Sequence, residues 1–248
     1  MTADVIQLII NSCPEMVTTE YKYDGCLPLH TLCQNTDLGE QSSLDIAKLL
    51  VRAHPESVKS RVGEGIMHGI CDDEGKLPIH IAEEHKSLEF CKILLSERAR
   101  LSSVRGVNLL QAAFVCKCSL ETVKKLVEED RELLQMKDEH GHIALHTASS
   151  CGSLEVVRYL VEGNEFNLTV SDKKGSLPLH KACWFGELEN VEYLMAKNMM
   201  TITARNNRNE LPIHALSSRS GKREKTLRSV KYGETIFKLL RAYPETVV

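Results

Sequence analysis

One four-residue phrase returns along this chain in near-constant register, and no other feature restricts its fold as much. Four copies are Leu27-Pro28-Leu29-His30, Leu77-Pro78-Ile79-His80, Leu177-Pro178-Leu179-His180 and Leu211-Pro212-Ile213-His214. A fifth, Ile143-Ala144-Leu145-His146, lacks only the proline. A sixth, Asn108-Leu109-Leu110-Gln111, lacks proline and histidine but keeps the Ala113 that follows. The phrases end at 30, 80, 111, 146, 180 and 214, so the last three steps are 35, 34 and 34 residues. A period in this range marks a stacked array, in which each unit buries its apolar side only against its neighbours. The first step of 50 residues implies an insertion.

The residues around each phrase predict the same local structure every time. Two positions ahead stand Gly25, Gly75, Gly106, Gly141, Gly175 and Asn209, the residue types that tolerate positive φ in a tight turn. Three positions before that turn residue, Asp72, Asp138, Asp172 and Asn206 carry short carbonyl side chains able to bond nearby amides. Proline then suits a helix's first turn, where its missing N–H costs nothing. A second amphipathic segment follows, with a shared Ser-Leu-acidic start at Ser43, Ser87, Ser119 and Ser153. Serine there is read as an N-cap, and apolar residues at helical spacing as one buried stripe. Each unit is therefore predicted as a turn plus two helices.

The chain resembles the ankyrin-repeat family over essentially its whole length. The resemblance implies an all-α ankyrin-repeat solenoid of helix-turn-helix units with short turn or β-hairpin fingers. The expected division is one ankyrin-repeat domain, 1–248: a half-repeat 1–20, then repeats at about 21–71, 72–102, 103–137, 138–171, 172–205 and 206–248. One departure is consistent: leucine or isoleucine mostly stands where the family has the threonine that caps the first helix and bonds the motif histidine. With Leu27, Leu77, Leu177 and Leu211 in that place, the cap must come from elsewhere.

Residues Asp4 to Val17 match only the second helix of a repeat, and Cys13-Pro14-Glu15-Met16-Val17 is echoed by His54-Pro55-Glu56-Ser57-Val58 and Tyr243-Pro244-Glu245-Thr246-Val247. The terminal stripes Val5/Leu8/Ile9 and Ile236/Phe237/Leu240 show no polar capping pattern, so the expectation is a segment of a longer protein or end-to-end self-association. Two insertions are expected, near Lys59 to Cys71 and across Ser217 to Tyr232. The second holds Arg219, Lys222, Arg223, Lys225, Arg228 and Lys231 against Glu224 alone. It reads as a solvated loop, with a nuclear-import signal or a patch for an acidic partner as the functional alternative.

Bulk properties exclude several classes. With 42% hydrophobic residues the chain can bury a core, and a formal net charge of −3 gives no sign of a nucleic-acid or membrane-surface protein. The nine cysteines have no C-x-x-C or zinc-ligand spacing and read as reduced core residues, which places the protein in the cytoplasm or nucleus. The apolar run Val5 to Ile10 is too short for a membrane span.

No hydrolase, metalloprotease, Walker A or EF-hand pattern occurs, and Gly63-x-Gly65-x-x-x-Gly69 misses nucleotide-loop spacing and follows a predicted helix. The motif histidines 30, 80, 146, 180 and 214 recur at one helical position, as a structural ladder would and a single catalytic or metal-binding histidine would not. His140 and His142 flank a predicted turn tip with no third ligand fixed beside them. Neither enzymatic activity, cofactor nor metal is expected.

What remains is surface. In the resembled family, partners are gripped by the turn tips and the exposed side of each first helix, along a concave groove. Register carries this to Lys173, Lys174, Ser176, Trp184 and Phe185 in one repeat. The repeat before supplies Glu139, His140, His142, Ser150 and Cys151, and the one after Asn207, Arg208 and Glu210. Trp184, the sole tryptophan, is either an interface anchor with Phe185 or packing against the next repeat. The function implied is non-catalytic protein–protein binding. The alternative is the regulatory or substrate-recruiting part of a larger signalling enzyme or ubiquitin ligase.

Overall fold

The structure, a computed structural model, describes residues 3–20, 26–61 and 76–217, with Gly233, Phe237, Lys238 and Arg241 beyond them. Gly25, Gly75, Asp72 and Cys71, both insertions past their first residues, and the terminal Ile236 and Leu240 lie outside the described residues. The chain divides into two compact units, Met1–Leu126 and Val127–Val248.

In the first unit, α1 (Ala3–Ser12) is followed by the helix pairs α2 (Pro28–Gln34) with α3 (Glu40–Ala53) and α4 (Pro78–His85) with α5 (Leu88–Arg100), and by α6 (Leu109–Cys116). The next helix, α7, runs Leu120–Glu129. The second unit continues with the pairs α8 (Ala144–Cys151) and α9 (Leu154–Gly163), and α10 (Pro178–Phe185) and α11 (Leu188–Lys197), then α12 (Pro212–Ser217). Short 3-10 turns, among them Pro14–Val17, Arg131–Leu134, Glu165–Thr169 and Met199–Thr203, follow second helices. Within each unit first helices pack on their own second helices and on the next first helix, as α2 does against α3 and α4, α8 against α9 and α10, and α10 against α11 and α12. This is an all-α stack of helix pairs. The fingers between pairs are turns, and no strand occurs among the described residues.

The missing threonine cap is replaced by the motif histidine itself. The backbone N–H of Leu27 donates to Nδ1 of His30 at 3.1 Å, and the same bond joins Leu177 to His180 (3.1 Å) and Leu211 to His214 (3.0 Å). An amide can only donate, so Nδ1 accepts and the ring proton sits on Nε2. That Nε2–H reaches about thirty residues or more along the chain, His30 to the Ser60 carbonyl (3.0 Å), and into the following repeat His80 to Cys116 (2.7 Å), His146 to Ser176 (3.1 Å) and His180 to Glu210 (3.2 Å). One ring thus caps a helix and ties two repeats. In the sixth copy, Asn108 and Gln111 form a reciprocal capping box instead, with bonds of 3.0 and 2.9 Å.

Second helices begin as expected at Ser87, Ser119 and Ser153, whose hydroxyls accept from Phe90, Thr122 and Val156 amides. Ser43 departs from the pattern. Helix α3 starts a turn earlier, after Gly39, with Glu40 favourably placed in its first turn. Ser43 is consequently buried within the helix and bonds Lys86 of the next repeat at 3.3 Å. The buried stripe is also broader than expected: α9 buries Val156, Val157, Leu160 and Val161, because a second helix is covered both by its first helix and by neighbouring second helices.

Candidate functional site

Three successive fingers of the second unit are built on one side-chain device. Oδ1 of Asp138 accepts from the amides of His140 and His142 (both 2.9 Å), and Oδ1 of Asp172 from those of Lys174 and Ser176 (both 2.8 Å). In the third finger, Asn206 accepts from Arg208 and Glu210 at 2.9 and 3.0 Å. These bonds close each turn around Gly141 (φ +82°), Gly175 (φ +72°) or Asn209 (φ +63°), the left-handed conformation expected from their residue types.

The fingers are also joined to one another. Lys173 N–H donates to the His140 carbonyl and Asn207 N–H to the Lys174 carbonyl, each at 2.9 Å. The Asn207 side-chain amide adds a bond to the Lys173 carbonyl at 3.2 Å. The close approach leaves no room for a side chain at Gly175, whose added Cβ would lie 2.4 Å from Asn207 Oδ1. The tips therefore form one ordered row.

Beneath the tips lies a charged cluster. Both ring nitrogens of His142 face carboxylates, Nδ1 to Asp138 at 3.1 Å and Nε2 to Asp172 at 3.3 Å, while Lys181 Nζ approaches Asp172 at 2.8 Å. The contacts on Asp172 Oδ2 are ionic and fall short of directed hydrogen-bond geometry. Burial would push the Asp172 carboxyl up, but His142 and Lys181 outweigh it and hold the group well below the usual carboxylate range. Among the described residues, no group of three or more His, Cys, Asp or Glu side chains is placed to hold a metal ion.

Lys181 also connects the fingers to the aromatic pair. It lies on α10 three and four residues before Trp184 and Phe185, hence on the same helix face, while its ammonium reaches the base of the second finger. Trp184 is 48% and Phe185 42% exposed. They end the helix, which Gly186 closes in the left-handed conformation.

The remaining sequence-predicted positions are distributed along this row. His140, Lys173, Lys174, Asn207 and Arg208 are exposed, and Glu139, His142 and Glu210 are half-buried. Glu210 accepts from the Asn206 side chain at 2.9 Å. Ser150 and Cys151, half-buried at the end of α8, both turn back to the Thr147 carbonyl. Ser176 is buried; its amide and carbonyl clasp Asp172, so it supports the finger from within. Lys181 was missed by the sequence reading, although its helical spacing to Trp184 was a usable signal.

Buried thiols are the rule elsewhere: Cys26, Cys33, Cys91, Cys116, Cys118 and Cys183 are all buried, and burial pushes Cys91 up to about 12. No helix among the described residues is long and apolar enough to cross a membrane.

Comparison with known proteins agrees with this geometry. None of the curated proteins matches the chain. Residues 109–209 match the family described as ankyrin repeats, in three copies. That span takes in the sixth copy from Leu109 onward and the three-finger row as far as Asn209, and helix pairs of the same kind recur in the first unit, so residues 109–209 carry ankyrin repeats and support an ankyrin-repeat family.

Proposed function

We propose that the chain is a non-catalytic scaffold that binds a protein partner along the face made by the finger tips and the exposed side of the first helices within residues 138–210. Ankyrin repeats are generally protein–protein interaction modules. The observation that carries the reading is the half-exposed Trp184–Phe185 pair, set on the same helix face as Lys181 and so linked to a finger row held rigid by backbone bonds. Large aromatics at the centre of an interface are frequent anchors, each worth about 2 kcal/mol or more when buried by a partner. A preordered row of tips lowers the entropy cost of association.

The fingers carry both signs of charge, with Lys173, Lys174 and Arg208 exposed and Glu139 and Glu210 half-buried, a mixture that suits orientation and specificity. Buried thiols such as Cys33, Cys91 and Cys183 suit a reducing compartment, the cytoplasm or nucleus.

The test is a quantitative pull-down from native lysate with the parent chain and a Trp184→Ala/Phe185→Ala variant of equal stability. A specific protein captured by the parent and lost by the variant is the expected result. Identical profiles would remove the aromatic pair from the interface.

A further inference from the structure

His142 stands beside the histidine ladder but faces different chemistry. His30, His80, His146 and His180 each take a backbone amide on Nδ1 and face a backbone carbonyl with Nε2. The neutral ring satisfies that pair with its one donor and one acceptor. Both nitrogens of His142 face carboxylate oxygens instead, Nδ1 that of Asp138 in its own finger at 3.1 Å and Nε2 that of Asp172 in the next finger at 3.3 Å. A carboxylate only accepts, so two attractive contacts require a proton on each nitrogen. With either proton removed, a ring lone pair points at a negative oxygen.

The neighbouring charges suit that arrangement. Oδ1 of each carboxylate is engaged by two finger amides, which leaves Oδ2 for the ring. Asp172 is held ionised: burial opposes its charge, but His142 and Lys181 outweigh it. From the same finger, His140 brings its ring to 5.6 Å, next in sequence to Glu139, and from α8 the His146 ring stacks at 5.7 Å and 28°. From the second finger come Asp172 and, next in sequence, Lys173. Helix α10 sets Lys181 on Asp172 at 2.8 Å, with the His180 ring also in the field of Asp172. His146 stays neutral because burial holds its ring down, and charge on His142 adds to that effect. The stacked rings thus have opposite demands, one proton on His146 and two on His142.

Loss of one proton acts on one contact in particular. The contact between Nδ1 and Asp138 has hydrogen-bond geometry and lies within a finger, whereas that between Nε2 and Asp172 is ionic and spans two fingers. A neutral ring therefore keeps its proton on Nδ1 and turns the bare Nε2 towards Asp172. We propose that His142 is a proton-operated tie between the first and second fingers: charged, it joins Asp138 to Asp172, and neutral, it releases the second finger. Acid tightens this contact and base loosens it, opposite in sign to the buried His146. Through Lys181 the tie reaches α10, which carries Trp184 and Phe185. A consequence for partner binding rests on the finger row being the binding face; the tie itself does not.

The row contains its own control. Asn207 N–H donates to the Lys174 carbonyl as Lys173 N–H donates to the His140 carbonyl, both at 2.9 Å, but Ser176 stands in the place of His142 in the second finger. In the isotope-labelled full chain, ring nitrogen signals assigned by their loss in His142→Gln count the protons on His142 and name its tautomer. Amide exchange, corrected for its intrinsic pH dependence, gives the protection of Lys173 relative to Asn207, a ratio that cancels the global effect of acid through His146. As pH rises and the ring passes from two protons to one, on Nδ1, the ratio should fall by about threefold or more, the effect of one partly exposed ion pair. The fall should vanish in His142→Gln and persist in His140→Gln. Four results would each overturn the proposal: a ratio unchanged across the ring titration; a fall that survives in His142→Gln; a neutral ring with its proton on Nε2; and a ring with both protons at every pH where the chain stays folded, which makes it a fixed strut. No partner enters this measurement, so its failure is distinct from the identical pull-down profiles that would remove the aromatic pair from the interface.

Discussion

His146 Nε2 lies 3.1 Å from the carbonyl of Ser176, thirty residues further along the chain, while its Nδ1 accepts the amide of Ile143 at 3.3 Å. Both nitrogens are committed, one as donor and one as acceptor, so a second proton would break the helix cap. Burial pushes the ring down to about 4, against the opposing pull of the Ser176 bond.

The sign of the pH effect follows from that depression. The unfolded chain binds a proton near pH 6.5, and the folded chain only near 4, so the stability contribution is complete above about 6.5 and declines as pH falls towards 4. The loss by pH 4 should be on the order of 3 kcal/mol for His146, with His180, also depressed by burial, adding in the same direction. Urea unfolding from pH 7.5 to 4.5 checks this against His146→Gln, which imitates the titration-free Gln111 of the sixth copy. The variant should lose part of the pH dependence; parallel curves would show that His146 does not contribute.

Asp172 is the pivot of the finger row. Asp172→Asn keeps an oxygen for the Lys174 and Ser176 amides but withdraws the negative charge from Lys181 and His142. The expected cost is about 1–3 kcal/mol, since a partly buried cation loses its counter-charge. Because the pair is shielded, the cost should change little between low and moderate salt. A loss under about 0.5 kcal/mol would mean the ion pairs are no better than exposed ones.

Two glycines separate backbone demand from empty space. Gly175 has φ +72° and its Cβ would meet Asn207 Oδ1 at 2.4 Å and the Asn207 amide nitrogen at 2.9 Å. Gly163, the last residue of α9, has nothing within 4 Å of a Cβ. Gly175→Ala should therefore destabilise by about 1–3 kcal/mol, and Gly163→Ala should be neutral or stabilise by up to about 1 kcal/mol. Thermal melts of the two variants side by side decide it, and equal shifts would contradict the close finger contact.

The helix pairs, the tight turns and the histidine ladder were legible in the sequence because each depends on local chemistry repeated in register. Proline at a first turn, glycine at positive φ and an Asx side chain closing a finger all act within a few residues. Ser43 misled because its Ser-Leu-Asp setting copies the true caps, while the helix start was decided upstream at Gly39 and Glu40. Ser176 looked like tip surface, yet its neighbours fold its backbone around Asp172. Lys181 and the His142 bridge depend on fingers and helices meeting in space, which spacing within one repeat does not reveal.

Trp184 and Phe185 give a decisive contrast between anchor and packing. If their half-exposed rings mainly face solvent, Trp184→Ala/Phe185→Ala removes little core, and stability should change by no more than about 1 kcal/mol. Rings packed into the neighbouring repeat would instead cost about 3–5 kcal/mol each. Trp184 is the only tryptophan, so its fluorescence reports this one place. The indole should be readily quenched by acrylamide in the free chain, and protected once a captured partner is added back. A large stability loss together with weak quenching of the free chain would assign the pair to internal packing, and would leave the finger tips Lys173, Lys174, Asn207 and Arg208 as the binding surface.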